Sequence, residues 1–246
     1  MFALSPWNKY SIEQKSMKTI ILAAGKATRL LPLTKDTPQS LLEVNGKAIL
    51  ERQVENLKKS GIRDIVVVTG HLSEKIEELC KGLGVKTLFN PFYAVSGIAV
   101  SLWAAKEELA NGFLLLYSDV LFDSFVVDGL LESAGDICLA VKKNDLRNEA
   151  EKVVEQEGFI KSVKKIPSGK ENGEFIGIAK FSSSGALEFK DKLNELLRKS
   201  LDVSFIDVVD DFIKTGGLVA AYDIKNASFA DIDFPEDLTE AENIFL

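Results

Sequence analysis

The stretch of residues 17–42 limits the possible folds of this chain more than any other. It opens with the apolar, partly β-branched run of residues 19–23, which is typical of a strand buried on both faces of a sheet. The run breaks at Gly25, and a polar loop follows. The N–H groups of such a turn can face an anion, and Lys26 and Arg29 add positive charge, so the stretch predicts a phosphate-binding loop. The alternative is an ordinary strand–loop connection with two solvated cations.

The loop differs from two familiar phosphate-binding loops. The dinucleotide fingerprint G-x-G-x-x-G needs three glycines, and this loop has one. The pattern G-x-x-x-x-G-K-[ST] is also absent from the loop. A phosphate site at this position therefore belongs to another class.

The same stretch resembles the signature of the sugar-phosphate nucleotidyltransferases. That signature reads L-A-A-G-x-x-T-R-L, then P-L-T, then T-P-x-S-L-L-E-V-N-G-K, and it matches residues 22–30, 32–34 and 37–47. In that family the loop wraps the triphosphate of a nucleotide, so the resemblance implies a nucleotidyltransferase with Arg29 among its catalytic residues. The nucleotide-binding residues that it implies in this stretch are Leu22, Ala23, Ala24, Gly25, Lys26, Thr28, Arg29 and Gln39.

The order of strand-like and helical segments predicts the fold class. From residue 48 to residue 141 short buried strands alternate with helices, which favours an α/β fold with a doubly wound, mainly parallel sheet. Near Asn144 the pattern changes, and two strand-like segments around Glu157-Gly158 predict a hairpin. We expect one domain over residues 17–246, in which residues 144–181 form a small hairpin lid or acceptor-binding subregion. Residues 1–16 are expected to be a flexible extension.

Acidic residues at two places predict a metal–triphosphate site. Asp119 follows the buried strand FLLLY, and Asp231 and Asp233 lie in a late D-I-D segment. Ligands of open α/β sheets bind outside the carboxyl ends of the strands, and Mg²⁺ prefers carboxylate oxygens. The alternative for Asp119 is a helix cap or a turn acid. The family resemblance implies that Asp119, with Asp231 or Asp233 or both, ligates a divalent cation.

A second set of segments resembles the small cytidylyltransferases that act on phosphocholine and similar phosphate monoesters. The resemblance rests on residues 90–96, 101–103 and 173–182. It implies CTP as the nucleotide and adds Gly70, Asn90 and Ser96 to the nucleotide pocket. It also implies catalytic and substrate-binding roles for Lys152 and Lys164 at phosphates, and contacts of a cationic acceptor head with Glu174 and Asp207. The alternatives are solvated lysines on a hairpin and plain surface acids.

One position departs from the family signature in a way that bears on activity. The family has T-P-K-S-L-L, and this chain has Gln39 in place of the lysine. A neutral amide can donate a hydrogen bond but removes a full positive charge beside the triphosphate. We therefore expect slow transfer of CMP from CTP to a phosphate monoester, which Gln39→Lys should accelerate. The alternatives are a uridylyl-, thymidylyl- or guanylyltransferase that makes an NDP-sugar, and a nucleotide-binding module without turnover.

Charge and composition exclude some partners. A formal net charge of −7 argues against a broad surface for nucleic acid or anionic membranes. No apolar run reaches the roughly 18 residues of a membrane span. Cys80 and Cys138 are too few for a disulfide framework and are typical of a reducing compartment. We expect a cytoplasmic monomer or homodimer that binds an NTP, Mg²⁺ and a small phosphate monoester.

Overall fold

A computed structural model describes residues 17–143, 146–166 and 168–245, so the predicted extension over residues 1–16 lies outside the described residues. The strands are β1 (Lys18–Ala23), β2 (Glu43–Val44), β3 (Lys47–Ala48), β4 (Ile65–Thr69), β5 (Lys86–Phe89), β6 (Phe113–Tyr117), β7 (Val120–Phe122), β8 (Ile137–Lys142), β9 (Glu151–Gln156), β10 (Phe159–Lys164), β11 (Gly173–Phe181), β12 (Ala220–Asp223) and β13 (Phe229–Asp231). The α-helices are α1 (Ile49–Lys59), α2 (Ser73–Leu83), α3 (Ile98–Ala104), α4 (Ser124–Glu132), α5 (Ser183–Leu197), α6 (Phe205–Lys214) and α7 (Pro235–Ile244).

Nine of these strands form one sheet in the order β5-β4-β1-β6-β11-β8-β12-β10-β9. Strands β5, β4, β1 and β6 are parallel to their neighbours within this half, as the alternation of strands and helices predicts. Strand β11 runs antiparallel to both β6 and β8, so the other half of the sheet is mixed. The predicted α/β fold class is confirmed. A ligand is expected at the carboxyl ends of the parallel strands.

Helices cover both faces of the sheet, and β1 lies between them. Ile20 and Leu22 of β1 belong to a core with residues of α3, α5 and α6. Ile21 and Ala23 belong to a second core with residues of α1, α2 and α4. A strand that faces two cores needs apolar residues at successive positions, which explains the unbroken apolar run of β1.

The predicted hairpin is confirmed. Strands β9 and β10 are antiparallel, and Glu157 and Gly158 at their turn both have positive φ, 54° and 83°, as a type I′ turn requires. The hairpin is part of the nine-stranded sheet, since β10 pairs with β12 and β9 pairs with β11. The segment after residue 144 thus extends the sheet, and its function as a lid stays a prediction.

Two short strands that the sequence did not predict connect distant parts of the chain. Strand β13 runs antiparallel to β7, with Asp231 opposite Val120. Beneath this pair, Leu121 and Ile232 join a third apolar cluster that also contains Leu30 from the predicted phosphate loop. The pairing of β13 with β7 therefore places the D-I-D segment next to the end of β6.

Within residues 17–143, 146–166 and 168–245, none of the helices combines the length and the apolar composition that crossing a bilayer requires.

Gly177 lies at an irregular position of β11, beside the end of β6. The register of β11 against β8 shifts between Phe175 and Ala179, and Gly177 has a φ of +77°. A Cβ atom at Gly177 would lie 3.0 Å from Cβ of Tyr117. Both the backbone conformation and the space next to Tyr117 therefore favour glycine.

We predict that Gly177→Ala lowers the free energy of unfolding by about 1–2 kcal/mol, because a side chain at positive φ strains the backbone. Urea denaturation followed by circular dichroism measures this change. The matched control is Gly82→Ala, at an exposed helical position with no atom within 4 Å of the added Cβ. Since alanine favours a helix interior, the control should gain about 0.5–1 kcal/mol. Equal effects of the two substitutions would contradict the prediction.

Candidate active site

Three aspartates lie together at the end of β6. Asp119 follows β6, Asp231 ends β13, Asp233 comes two residues later, and one carboxylate oxygen from each lies within 4.8 Å of the other two. Burial and the neighbouring negative charges raise the pKa of Asp119 well above its usual value and raise that of Asp231 to about 6. Oδ1 of Asp119 is buried and has no hydrogen-bond partner. Such a set of hard, partly unpartnered oxygens fits a divalent cation.

The turn that carries Asp119 is fixed by a buried glutamine on α1. Nε2 of Gln53 donates hydrogen bonds to the carbonyl oxygens of Tyr117 at 2.8 Å and Val120 at 2.7 Å. Gln53 is almost fully buried, so these bonds are shielded from water. The backbone on both sides of Asp119 is therefore held before any ligand binds.

The D-I-D segment is fixed through the residue in its middle. The backbone N–H of Ile232 donates to the carbonyl oxygen of Asp119 at 3.0 Å, and its own carbonyl oxygen accepts from Nε2 of Gln39 at 2.5 Å. The N–H of Asp233 donates to Oδ2 of Asp237 at 2.7 Å. Gln39, predicted to contact nucleotide, thus has a protein partner between the two acidic residues.

The predicted phosphate loop lies at the carboxyl end of β1, next to the acidic cluster. Leu22, Ala23 and Ala24 are buried, and the exposed residues of the loop are Gly25, Lys26, Thr28 and Arg29. Ala27 has a left-handed backbone, and its carbonyl oxygen accepts from Oγ1 of Thr34 at 2.8 Å. Gly70 packs against this loop, since a Cβ atom there would lie 2.7 Å from the carbonyl oxygen of Ala24. These two contacts hold the backbone of the loop at Ala24 and Ala27.

Two arginines neutralise part of the acidic cluster. The guanidinium of Arg29 forms an ion pair with Asp233 and lies 5.3 Å from the centre of the Phe234 ring. Arg147 forms a 3.1 Å ion pair with Asp231 through Nη1. The sequence predicted Arg29 but not Arg147, which lies outside every recognised motif.

Arg147 also binds the carboxylate of Glu174, which the sequence predicted to contact the head group of the acceptor. Nε of Arg147 donates to Oε1 of Glu174 at 3.1 Å, and its backbone N–H donates to Oε2 at 2.9 Å. Glu174 is fully buried. Both oxygens of Glu174 therefore have a partner within the protein, and the side chain connects two segments of the chain.

The other predicted substrate-binding residues lie around Glu174 and at the start of α6. Lys152 is opposite Lys164 on β10 and opposite Glu174 on β11. Its Nζ is buried without a hydrogen-bond partner, whereas Lys164 is exposed. The carboxylate of Asp207 accepts from the N–H and the Oγ–H of Ser204, at 2.8 and 2.6 Å, and so caps α6. Their roles at a substrate stay predictions.

Asn90 and Ser96 shape the segment in which they lie. Nδ2 of the fully buried Asn90 donates to Oγ of Ser101 at 3.1 Å, and its Oδ1 accepts from the N–H of Phe92 at 2.9 Å. Oγ of Ser96 donates to the carbonyl oxygen of Phe92 at 2.8 Å. The side chains of both residues are therefore engaged within this segment, and contact with a nucleotide stays a prediction.

The acidic cluster lines a cleft of about 260 Å³ that also contains residues the sequence did not single out. Besides Arg29 and the three aspartates, its charged lining residues are Glu149, Glu151 and Lys165. Lys165, which lines the cleft, directly follows the predicted substrate-binding residue Lys164. Glu151 is two positions before the buried Val153 and so lies on the same face of β9, but the strand EKVVEQ has no alternation of apolar and polar residues that would have singled it out.

Comparison with known proteins agrees with this site. A family model described as a MobA-like NTP transferase domain matches residues 19–175. The choline-phosphate cytidylyltransferase of Streptococcus pneumoniae is 41% identical over 133 residues, which are 54% of this chain and 57% of that protein. The UTP–glucose-1-phosphate uridylyltransferase AglF of Haloferax volcanii is 29% identical over 92% of this chain and 95% of that protein.

A solved structure extends the likeness to the three-dimensional fold. The CTP:phosphocholine cytidylyltransferase LicC from Streptococcus pneumoniae superimposes with a TM-score of 0.79 at 28% identity, covering 94% of this chain and 100% of that one. The family model includes the phosphate loop, Asp119 and Arg147. The family expected from the loop is therefore confirmed: this chain belongs to the MobA-like NTP transferase domain family and is a nucleotidyltransferase.

Proposed function

We propose that this protein transfers CMP from CTP to a small phosphate monoester, such as phosphocholine or a related phospho-alcohol, and releases pyrophosphate. The proposal rests on one observation: Arg29 of the loop after β1 and the three aspartates line the same cleft. Two similar proteins support the choice of substrates, since one is named a choline-phosphate cytidylyltransferase and the other a CTP:phosphocholine cytidylyltransferase.

Mg²⁺ is the cofactor that this site fits. Asp119, Asp231 and Asp233 would hold it, because the three carboxylates converge and Oδ1 of Asp119 has no other partner. When bound, the ion neutralises charge on the phosphates of the nucleotide. The hydrogen bonds of Ile232 keep the backbone of the two late aspartates in place for this purpose.

The chain itself binds and orients two anions. An acceptor phosphate is already ionised, so its oxygen can attack the α-phosphorus without a general base. The N–H groups of the loop after β1 and the guanidinium of Arg29 would bind phosphate oxygens beside the acidic cluster. Lys165 also lines this cleft. Rate enhancement then comes from alignment of the two reactants and from positive charge at the transferring group.

Two other activities remain alternatives, each with an observation in its favour. The similarity to the uridylyltransferase AglF covers most of the chain and favours formation of an NDP-sugar. The amide of Gln39, bound to the carbonyl oxygen of Ile232, favours a nucleotide-binding module with little turnover. Turnover with defined substrates separates the three.

We predict pyrophosphate release with CTP and a phosphorylated amino alcohol. CTP, UTP, dTTP and GTP should be combined with phosphocholine, phosphoethanolamine, inositol 1-phosphate and glucose 1-phosphate, with Mg²⁺ present. Pyrophosphate is measured by a coupled assay, and nucleotide binding is measured separately by calorimetry. Turnover only with UTP or dTTP and glucose 1-phosphate would replace the proposed reaction by NDP-sugar synthesis. Nucleotide binding without pyrophosphate release in any combination would exclude both transfer reactions and favour a nucleotide-binding module without turnover.

We predict that Asp119→Asn lowers kcat at least about 1,000-fold and weakens Mn²⁺ binding, because it removes a charged ligand. The metal-free variant should be at least as stable as the wild type, because one of three mutually repelling, half-buried carboxylates becomes neutral. Mn²⁺ affinity is measured by electron paramagnetic resonance, and stability by thermal unfolding. Asp223→Asn, on β12 away from the cluster, is the control. Wild-type Mn²⁺ affinity in Asp119→Asn would exclude Asp119 as a ligand.

We predict that Gln39→Met weakens Mn²⁺ binding about 10-fold, because the carbonyl oxygen of Ile232 loses its donor and the D-I-D segment loosens. Gln39→Lys is the matched variant. Lysine keeps a donor at this position, so metal affinity should fall less than with methionine, and its added charge should raise kcat by one to two orders of magnitude, roughly the value of a charge-assisted hydrogen bond. If methionine leaves metal affinity unchanged, the bond to Ile232 does not position the metal site.

A further inference from the structure

Glu151 points into the cleft from the first position of β9. Its cross-strand neighbour is Phe175 on β11, and both line the cleft. The hydroxyl of Tyr117 donates a hydrogen bond to Oε2 of Glu151 at 3.3 Å. Glu151 is half-buried, and burial raises the pKa of its carboxyl to about 7. Family motifs did not identify this position.

The charges of the cleft leave Glu151 without a cation in contact. Five carboxylates and two cations line the cleft. Arg29 pairs with Asp233, and Arg147 pairs with Asp231. Lys165 lies near enough to Glu151 to act on its pKa, but no ion pair within 4.0 Å involves Glu151 in the part of the chain described. A half-buried carboxylate without a contacting counter-ion favours a ligand that brings one.

The chemistry beside Glu151 suits a cation that carries N–H groups. A quaternary ammonium has no N–H group and is recognised by the faces of several aromatic rings. Here the two rings of the cleft, Tyr117 and Phe175, pack edge to face with centroids 5.7 Å apart, and Phe175 is only 3% exposed. Among the described residues that line the cleft there is therefore no cage of several exposed ring faces. A carboxylate and a hydroxyl group, in contrast, accept hydrogen bonds from a primary ammonium.

The position of Glu151 also fits a short head group. Tyr117, which hydrogen-bonds to Glu151, is two residues before the metal-ligand candidate Asp119, across the turn that follows β6. Glu151 and the three aspartates line the same cleft of about 260 Å³. A cleft of this volume suits a ligand in which a short linker joins a phosphate at the acidic cluster to an amine at Glu151.

We infer that Glu151 and Tyr117 form the subsite for the head group of the acceptor, and that this head group is a primary ammonium on a short phosphate monoester. The inference rests on the proposed transfer to a phosphate monoester and narrows its substrate class. It makes Glu151 a specificity-determining residue, because its carboxylate separates an N–H-bearing cation from a quaternary one and from a neutral hydroxyl.

The test compares three acceptors of nearly equal length with CTP and Mg²⁺. Phosphoethanolamine carries a primary ammonium, phosphocholine a trimethylammonium, and 2-hydroxyethyl phosphate a neutral hydroxyl. We expect kcat/KM for phosphoethanolamine to exceed the other two values by about 10-fold or more, the worth of one charge-assisted hydrogen bond. A value for phosphocholine equal to or above that for phosphoethanolamine would overturn the inference.

Glu151→Gln tests the residue itself, because it keeps the shape of the side chain and removes the charge. It should lower kcat/KM for phosphoethanolamine about 10- to 100-fold, mainly through KM, and change the value for 2-hydroxyethyl phosphate less than about 3-fold. Glu155→Gln is the matched control: it lies on the same strand, pairs with Lys143 and should leave the ratio between acceptors unchanged. An equal loss for all three acceptors in Glu151→Gln would assign Glu151 a structural role and overturn the inference.

A binding experiment separates failure of this inference from failure of the proposed transfer. Phosphoethanolamine is titrated calorimetrically into wild type and Glu151→Gln, each with Mg²⁺ and a non-hydrolysable CTP analogue. Binding that Glu151→Gln weakens about 10-fold or more supports the subsite even if no pyrophosphate is formed, in which case only the transfer fails. No binding to the wild type, or equal binding to both proteins, overturns the subsite. Circular dichroism and thermal unfolding verify that the variant is folded.

Discussion

Three carboxylates within 4.8 Å of one another repel each other, and much of the surrounding structure offsets that repulsion. Arg29 binds Asp233, and Arg147 binds Asp231. Among the described residues no ion pair reaches Asp119, and its Oδ1 stays without a hydrogen-bond partner. Asp231 and Asp233 therefore each have a counter-ion, whereas Asp119 has none in this part of the chain. A divalent cation would gain the most electrostatic stabilisation beside Asp119.

The same constraint explains why so many hydrogen bonds end on the backbone near these acids. Gln53 holds the turn of Asp119, and Gln39 holds Ile232. Side chains that repel one another stay together only when their backbones cannot move apart. The amides provide this restraint without adding charge, which would change the affinity of the cluster for a cation.

Features that depend on neighbours in the sequence were predictable. The run of apolar residues in β1 indicated a strand between two cores, and Glu157-Gly158 indicated the hairpin turn. Asp119 could be placed at a ligand-binding edge because it directly follows a buried strand. Periodicity and turn preferences act over a few residues, so the sequence displays them.

Features that depend on distant pairs were not predictable. Gln39 and Ile232 are 193 positions apart, and neither residue type indicates the other. Strand β13 has three half-buried residues, too few for a periodic pattern, although it carries Asp231 to the site. Arg147 resembles any solvated arginine until Glu174 and Asp231 are in place around it. The family signature identified the loop and the acids, whereas the charges that balance them are specific to this fold.

The pairing of β13 with β7 has a consequence for the order in which this protein is made. Asp231 and Asp233 follow the phosphate loop and Asp119 by more than 100 positions. A nascent chain that has reached residue 200 would have the loop and one acid but neither of the other two. The acidic cluster is complete only after residue 233 has left the ribosome, so chains that stop before this residue lack the full set of candidate metal ligands.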